Sequence, residues 1–350
     1  MFDKLIGNEN VKATLGRFIG NGRVPNSLIF SGIDGIGKKQ FAVQLVKSLL
    51  CKSPVDGEGC DECSSCLRVD VVQFPRSDDK EAHKKVIFSE HPDFGLVIPY
   101  NRNVLIDAIR SLDTEAHFRP FEAGARVFII DDADKMNDAA SNALLKTLEE
   151  PAATSYIFLI TSRADSLLPT IRSRCQMLRF EPVSTAEIER FLERSNKFLP
   201  EDVPLISRIA DGSIGRAMST DAEKFRQVRE RMLEVVENGL IDHDHAALLR
   251  NAEVICDAKH KSDYEDHINV LKGLLHDIWR IKSGSSDESV VNADIIARLR
   301  AAAEQTTSAN LIRLIEEIEE LQLNLIVNIN RKVATDSLFV DIAASAGSTV

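Results

Sequence analysis

The sequence predicts an α/β module, a parallel sheet flanked by helices, followed by a wholly helical remainder. Three observations predict this class. The apolar run Leu28-Ile29-Phe30 leads into Gly32-Ile33-Asp34-Gly35-Ile36-Gly37-Lys38, a Gly-x4-Gly-Lys pattern in strand–loop–helix context. Further apolar runs at Phe94–Ile98, Val127–Ile130, Tyr156–Ile160 and Met177–Phe180 alternate with helix-period segments, as strands joined by crossover helices do. After Glu181-Pro182 the apolar spacing is helical throughout.

The bulk numbers set the bounds. A chain of 350 residues can bury a sizeable core and divides into two or three domains. Its 44% hydrophobic and 28% charged content is that of an ordinary globular protein. No apolar run approaches the roughly 20 residues that cross a bilayer. The opening Met1–Ile6 carries an acid and lacks the layout of an export signal, so a cytoplasmic protein without membrane contact is expected. A net charge of -11 argues against strong duplex binding by this chain alone, because phosphate neutralisation needs clustered cations. Membership of an assembly that contacts DNA through other members stays open.

Phe2–Gly22 carries Leu5, Ile6, Val11, Leu15, Phe18 and Ile19 at helical spacing and reads as a helix before the first strand. In the loop, Gly32, Gly35 and Gly37 permit tight turning and aim N–H groups at a phosphate. Lys38 is placed for the terminal phosphates, and a helix starts near Lys39 and runs to Leu50. Lys39 departs from the pattern, because a Ser or Thr hydroxyl at this place would hold Mg2+. At about 4 Å and an effective dielectric of 20, unit charges repel by roughly 4 kcal/mol, and a divalent ion feels about twice that.

Cys51, Cys60, Cys63 and Cys66 follow, spaced Cys-x8-Cys-x2-Cys-x2-Cys in a Gly/Asp-rich stretch too short for regular elements. In a cytoplasmic chain this cluster reads as a metal site, not as disulfides. Four thiolates satisfy tetrahedral Zn2+, and the short gaps let neighbouring cysteines converge on one ion. Structural zinc supplies on the order of 10 kcal/mol, enough to fold a knuckle without a core. The set leaves no open position, so the site is read as structural. Val71–Ser89 reads as a charged, exposed insertion, and His83 and His91 as surface histidines, since the cysteines already fill the ion.

Val104–Leu112 gives a helix with Arg110 on its polar side. Val127–Ile130 ends in Asp131-Asp132-Ala133-Asp134, and acids at the carboxyl end of such a strand lie beside the phosphate loop. Asp131 suits the orientation of Mg2+ or its water. Asp132 stands where related ATPases carry Glu as base, and its carboxylate falls about 1.5 Å short. Asn137–Glu150 is an amphipathic helix closed by Pro151. Thr161 and Ser162 place small hydroxyls at the next strand end, and Pro169–Cys175 supplies Arg172 and Arg174 in a polar turn. By residue type alone, two arginines in a turn are a solvated face.

From Ser184 the pattern Ser184-Thr185-Ala186-Glu187 resembles a capping box. Helical spacing continues through Ile188, Phe191 and Leu192 and again over Leu205–Asp211. Gly212–Arg216 breaks one helix and starts another, and Ser283–Ser286 punctuates the remainder. The last pattern runs through Leu311, Ile312, Leu314, Ile315, Ile318, Leu321, Leu325 and Ile326. It carries no chemistry, and its role is packing, against copies or relatives of itself.

On its motifs the chain resembles the AAA+ clamp-loader family. Phe2–Gly7 looks like the family's opening segment. Ser141-Asn142-Ala143-Leu144-Leu145-Lys146-Thr147-Leu148-Glu149-Glu150-Pro151 matches its most recognisable helix, and Leu168–Cys175 its Ser-Arg-Cys segment. The likeness is specific over residues 1–220 and weaker beyond.

The resemblance implies an AAA+ phosphate-loop domain over residues 1–180 with a zinc knuckle at 51–66. A helical lid over 181–220 and a helical collar for oligomerisation over 221–350 complete it. It implies that Arg174 is an arginine finger reaching into a neighbour's ATP site, and that Thr161 and Ser162 fall at the sensor-1 place. Arg216 lies near sensor 2, one residue from where motor subunits have their Arg; Gly215 stands there instead. With Lys39 and Asp132, this implies a ring member that binds ATP or ADP weakly or without Mg2+ and turns over little or none. Such a member supports its neighbours while the sliding clamp is loaded onto primed DNA. Its partners would be motor and other loader subunits, with clamp and primer-template DNA met through the assembly. The competing readings are an ATP-hydrolysing motor subunit and a module whose zinc cysteines touch nucleic acid directly.

Overall fold

The computed structural model describes residues 2–257, 261–325 and 330–346. They form two compact units, residues 1–197 with 210–218, and residues 198–209 with 219–350.

The first unit is built on six strands: β1 (Ser27–Ser31), β2 (Ile87–Phe88), β3 (Phe94–Val97), β4 (Arg126–Ile130), β5 (Ser155–Thr161) and β6 (Gln176–Arg179). Their order is β2-β3-β4-β5-β1-β6, every pairing parallel except β2 with β3. Leu28, Ile29 and Phe30 of β1 are fully buried, as are Val127, Phe128, Ile129 and Ile130 of β4. Central strands covered on both faces need such continuous apolar runs; β1, β3, β4 and β5 are the four central ones, and with the edge strand β6 they make the five that stand out in the sequence. The sixth, β2, does not: it is two residues long, antiparallel, and lies inside the segment expected to be an irregular insertion.

Helices α1 (Glu9–Gly20), α2 (Lys38–Leu50), α3 (Ser64–Asp70), α4 (Ile106–Ala116), α5 (Asp138–Glu149), α6 (Pro169–Arg172) and α7 (Thr185–Ser195) complete this unit with the short α9 below. The expected helix over Phe2–Gly22 divides, with a single 3-10 turn at Phe2–Lys4 ahead of α1. Gly7 and Asn8, at φ 66° and 55°, take left-handed backbone between the two pieces and stop the helix. At α7 the capping box of Ser184 and Glu187 forms as its residues require. The stretch after Cys63 is regular where an irregular loop was expected: Cys63 caps α3, its sulfur accepting from Cys66 N.

The second unit is helical: α8 (Val203–Ile209), then, after α9 (Ile214–Ser219) of the first unit's return segment, α10 (Ala222–Leu240), α11 (His245–Cys256), α12 (Lys261–Lys282), α13 (Ile296–Glu304), α14 (Ser308–Asn324) and α15 (Arg331–Ala344). Leu233, Val236, Leu248, Tyr264, Leu271, Leu274, Leu314, Ile318 and Phe339 meet in one core. The final apolar pattern is thus mostly inward-facing within its own chain, while Ile312 is 45% exposed and Ile326 lies outside the described residues.

No helix among the described residues is long and apolar enough to cross a membrane.

Candidate functional site

The phosphate loop hangs between the carboxyl end of β1 and the first turn of α2. Gly37, at φ 104°, is the residue from which α2 starts, a backbone that side chains rarely adopt. Gly32 is demanded by packing instead: a Cβ there would lie 2.7 Å from Phe180 Cβ. Lys38 is buried, and its ammonium donates to the carbonyls of Gly32 at 2.6 Å and Ile33 at 2.8 Å. Burial pulls the Lys38 pKa below the ordinary lysine value, against the pull of Asp34 and of the three acids 131, 132 and 134.

Those acids follow β4 as expected, and each is already occupied. Asp131 Oδ2 lies 2.9 Å from Lys39 Nζ. Asp132 takes left-handed backbone at φ 46° and is bound by Lys135 at 2.7 Å. Asp134 accepts from the Thr161 hydroxyl at 2.8 Å and from Arg163 at 3.2 Å. Burial works to raise the Asp134 pKa, but these donors outweigh it and hold the carboxyl below its usual range. Thr161, fully buried opposite Ser31 at the end of β5, also accepts the Arg163 amide at 3.0 Å. Its hydroxyl is therefore engaged on both sides, with half-buried Ser162 next to it.

The start of α9 closes over this loop. Ser213 Oγ donates to Asp34 O at 2.7 Å, and Gly215 N to Gly35 O at 2.8 Å. The structure thus brings Gly32, Gly35, Gly37, Lys38, Lys39, Asp131, Asp132 and Thr161 to one end of the sheet, with Arg216 on α9 following Gly215. Asp134 and Arg163 were missed as partners of Thr161, and so was Ser213. The Asp134 and Ser213 contacts span 27 and 179 positions and leave no periodicity to read, whereas Arg163 lies two residues from Thr161 and is drawn in through its shared partner Asp134.

Arg174 is held elsewhere. Its guanidinium meets Glu149 at 2.6 Å and the Thr170 carbonyl at 3.0 Å, at the exposed end of α6. Arg172 is paired with Asp165 at 2.7 Å.

The four cysteines converge. The sulfurs of Cys51, Cys60, Cys63 and Cys66 all lie within 4.8 Å of one another, Cys51 being 3.6 Å from Cys60 and 3.8 Å from Cys63. A tetrahedral ion with thiolates at about 2.3 Å has ligand–ligand edges of about 3.8 Å, so the set fits one metal ion. Amide N–H groups of Ser53, Cys60, Cys63 and Cys66 point at these sulfurs at 3.3–3.5 Å, as thiolates require. At Cys63 burial opposes ionisation, yet the amides of Cys66 and Lys52 outweigh it and bring its pKa to about 6. Burial pushes the Cys66 thiol up.

The module is fastened to α2 by the buried Lys47, which bridges Asp61 at 2.8 Å and Asp70 at 2.6 Å. His83 and His91 are not surface residues: they are 5% and 0% exposed. His91 Nε2 meets Ser65 Oγ at 3.1 Å, tying α3 to the start of β3, and burial lowers its pKa. Both histidines belong to the packing and neither is among the metal-ligating group.

The family model described as DNA polymerase III, delta subunit, matches residues 7–184, and the model for the C-terminal part of that family's chains matches residues 227–342. DNA polymerase III subunit delta' of Bacillus subtilis is 26% identical over 309 residues, 88% of this chain and 88% of that protein. The Escherichia coli subunit delta' is 26% identical over 325 residues, covering 92% and 90%. The tau subunit of E. coli is 26% identical over 266 residues, 72% of this chain but 38% of its own length. Among solved structures, a DNA polymerase III gamma subunit-related protein of Thermotoga maritima aligns with a TM-score of 0.42 and 19% identity, covering 95% of this chain and 98% of that one.

Proposed function

The chain belongs to the DNA polymerase III delta-subunit family, and from that membership we propose that it is the delta-prime subunit of the clamp loader. It is an AAA+ ring member that turns over little or no ATP itself and supplies Arg174 to a neighbouring ATPase subunit while the sliding clamp is loaded onto primed DNA. Residues 1–180 are the AAA+ domain, 181–220 the lid and 221–350 the collar that holds the ring. The four cysteines hold a structural Zn2+, ATP or ADP binds weakly or without Mg2+, and the protein works in the cytoplasm.

The observation that carries the in-trans role is topological. β6 runs parallel to β1 with Gln176 opposite Leu28, so Arg174 sits at the amino-terminal edge of the sheet. The phosphate loop leaves the opposite edge at Gly32, about 20 Å away at roughly 3.3 Å per residue. A guanidinium there serves another chain's nucleotide, not its own. The low-turnover part of the reading draws on Asp131 and Asp132, whose carboxylates are both bound by lysines.

In the reconstituted loader, Arg174→Ala is expected to lower ATP turnover, by about 10³-fold or more at the neighbouring site that it serves, the range for arginine fingers. The isolated chain, with little turnover to lose, should be unaffected by the same change. Assembly turnover that does not move would remove the finger. The retained Gly-x4-Gly-Lys loop and the likeness to tau favour a motor subunit as the second reading. It requires Mg2+-dependent hydrolysis by the purified chain that Lys38→Ala abolishes.

A further inference from the structure

Asp131, the carboxylate at the end of β4 that would orient a nucleotide-bound metal, is held by a cation from the chain itself. Lys39 is the second residue of α2, and its Nζ reaches back to within 2.9 Å of Asp131 Oδ2. An ammonium has three donors and no lone pair, so it neutralises this acid but cannot ligate an ion as a hydroxyl would. A third group completes the arrangement. Phe74, from the segment that follows the four-cysteine module, lays its ring over the ammonium with 5.4 Å between Nζ and the centroid. The ring is 55% exposed, so burial does not explain its position, whereas attraction between a cation and an aromatic face does.

The neighbouring cations are engaged elsewhere. Lys38 is turned to the carbonyls of Gly32 and Ile33, Lys135 is bound to Asp132, and Arg163 to Asp134. Each of the three acids in the turn after β4 has its own cation.

We infer that Lys39 is a tethered substitute for the divalent cation: its ammonium occupies the charge position of Mg2+ beside Asp131, under the cover of Phe74, and makes phosphate binding at the loop independent of metal. The inference rests on the reading of the loop as a nucleotide cradle, and it assigns the residue that decides the cradle's response to metal. In sequence, Lys39 is a missing hydroxyl. In the structure it is a replacement already in place.

The test is ATP binding to the full-length chain by titration calorimetry, in excess MgCl2 and in EDTA. Wild type is expected to show no gain from Mg2+, and Phe74→Ala to behave likewise because the ammonium remains. Lys39→Thr removes the charge and returns a hydroxyl, and is expected to bind ATP about tenfold or more tightly with Mg2+ than with EDTA. Adding Asp131→Asn to Lys39→Thr should erase that gain. A tenfold gain from Mg2+ in wild type overturns the inference. So does a Lys39→Thr chain, folded by circular dichroism, that is indifferent to Mg2+ or binds no ATP at all. The ring reading fails on a different measurement, the turnover of an assembly with Arg174→Ala, so either can fall alone.

Discussion

The amide of Gly215 donates to the carbonyl of Gly35 across 2.8 Å, joining the first turn of α9 directly to the phosphate loop. The approach is possible because neither residue has a side chain. A Cβ on Gly215 would lie 2.9 Å from Gly35 Cα and 3.1 Å from its carbonyl oxygen. Both are backbone atoms and cannot rotate away. Gly215→Ala is therefore expected to cost about 1–3 kcal/mol, the ordinary range for overpacking, read from the urea midpoint of the full chain. A neutral Gly215→Ala would mean that loop and helix are not fixed against each other.

Val69 is the one buried aliphatic side chain of α3, so a metal ion held by the four sulfurs would supply what packing does not. Removing the ion with a strong chelator should open residues 51–70 and raise amide exchange along α3. The strands around β4 and β5 should keep their protection, because their core is made of other residues. Binding is expected at one ion per chain, and Cys60→Ser should weaken it by disrupting the four-sulfur set. Loss of the whole fold on chelation would contradict a local staple.

How much of this was legible beforehand follows from the range of the interactions. β1, β4 and β5 write themselves into the sequence, since strands covered on both faces have continuous apolar runs. The cysteines declare their convergence by spacing alone. β2 carries no such mark, being two residues paired antiparallel with β3. His83 and His91 read as polar and therefore exposed, yet both sit inside because Asp79 O and Ser65 give their ring nitrogens partners. The Lys39–Asp131 pair spans 92 positions, and nothing in local chemistry announces that the missing hydroxyl has been answered by an ion pair.

His267 gives the helical unit a pH dependence. It is 8% exposed, with Nδ1 donating to Asp263 O at 2.6 Å. Burial lowers its pKa below 6.5, aided by Arg231 and opposed by Asp263 and Asp266. Its stabilising contribution as a neutral ring is complete above the unfolded value and is lost as pH falls through the folded one. His276 is shifted in the same direction, by burial and then Lys272 and Arg280. The urea midpoint should therefore fall between about pH 7 and pH 5, and His267→Gln should flatten the slope. An unchanged slope in His267→Gln would show that this ring is not its source.

Asp93 and Arg126 are both fully buried, yet they are not equal partners. Asp93 accepts from the amides of Phe121, Glu122 and Ala123 at 2.7, 3.0 and 3.0 Å, so its charge is satisfied by backbone alone. Arg126 lies among the rings of Phe88, Phe121 and Phe128, is bound to Glu115, and its Nε, 3.9 Å from Asp93, makes no hydrogen bond. Asp93→Ala removes the acceptor of three amides and the fully buried carboxylate beside the guanidinium, leaving Arg126 with Glu115 alone. It is expected to cost about 3–5 kcal/mol, the range for breaking a buried pair. Arg126→Met keeps the volume and the apolar contacts and leaves Asp93 with its three donors, so it should cost distinctly less. Urea unfolding of both variants reads the difference, and the reverse order would assign the pair's main structural role to the guanidinium.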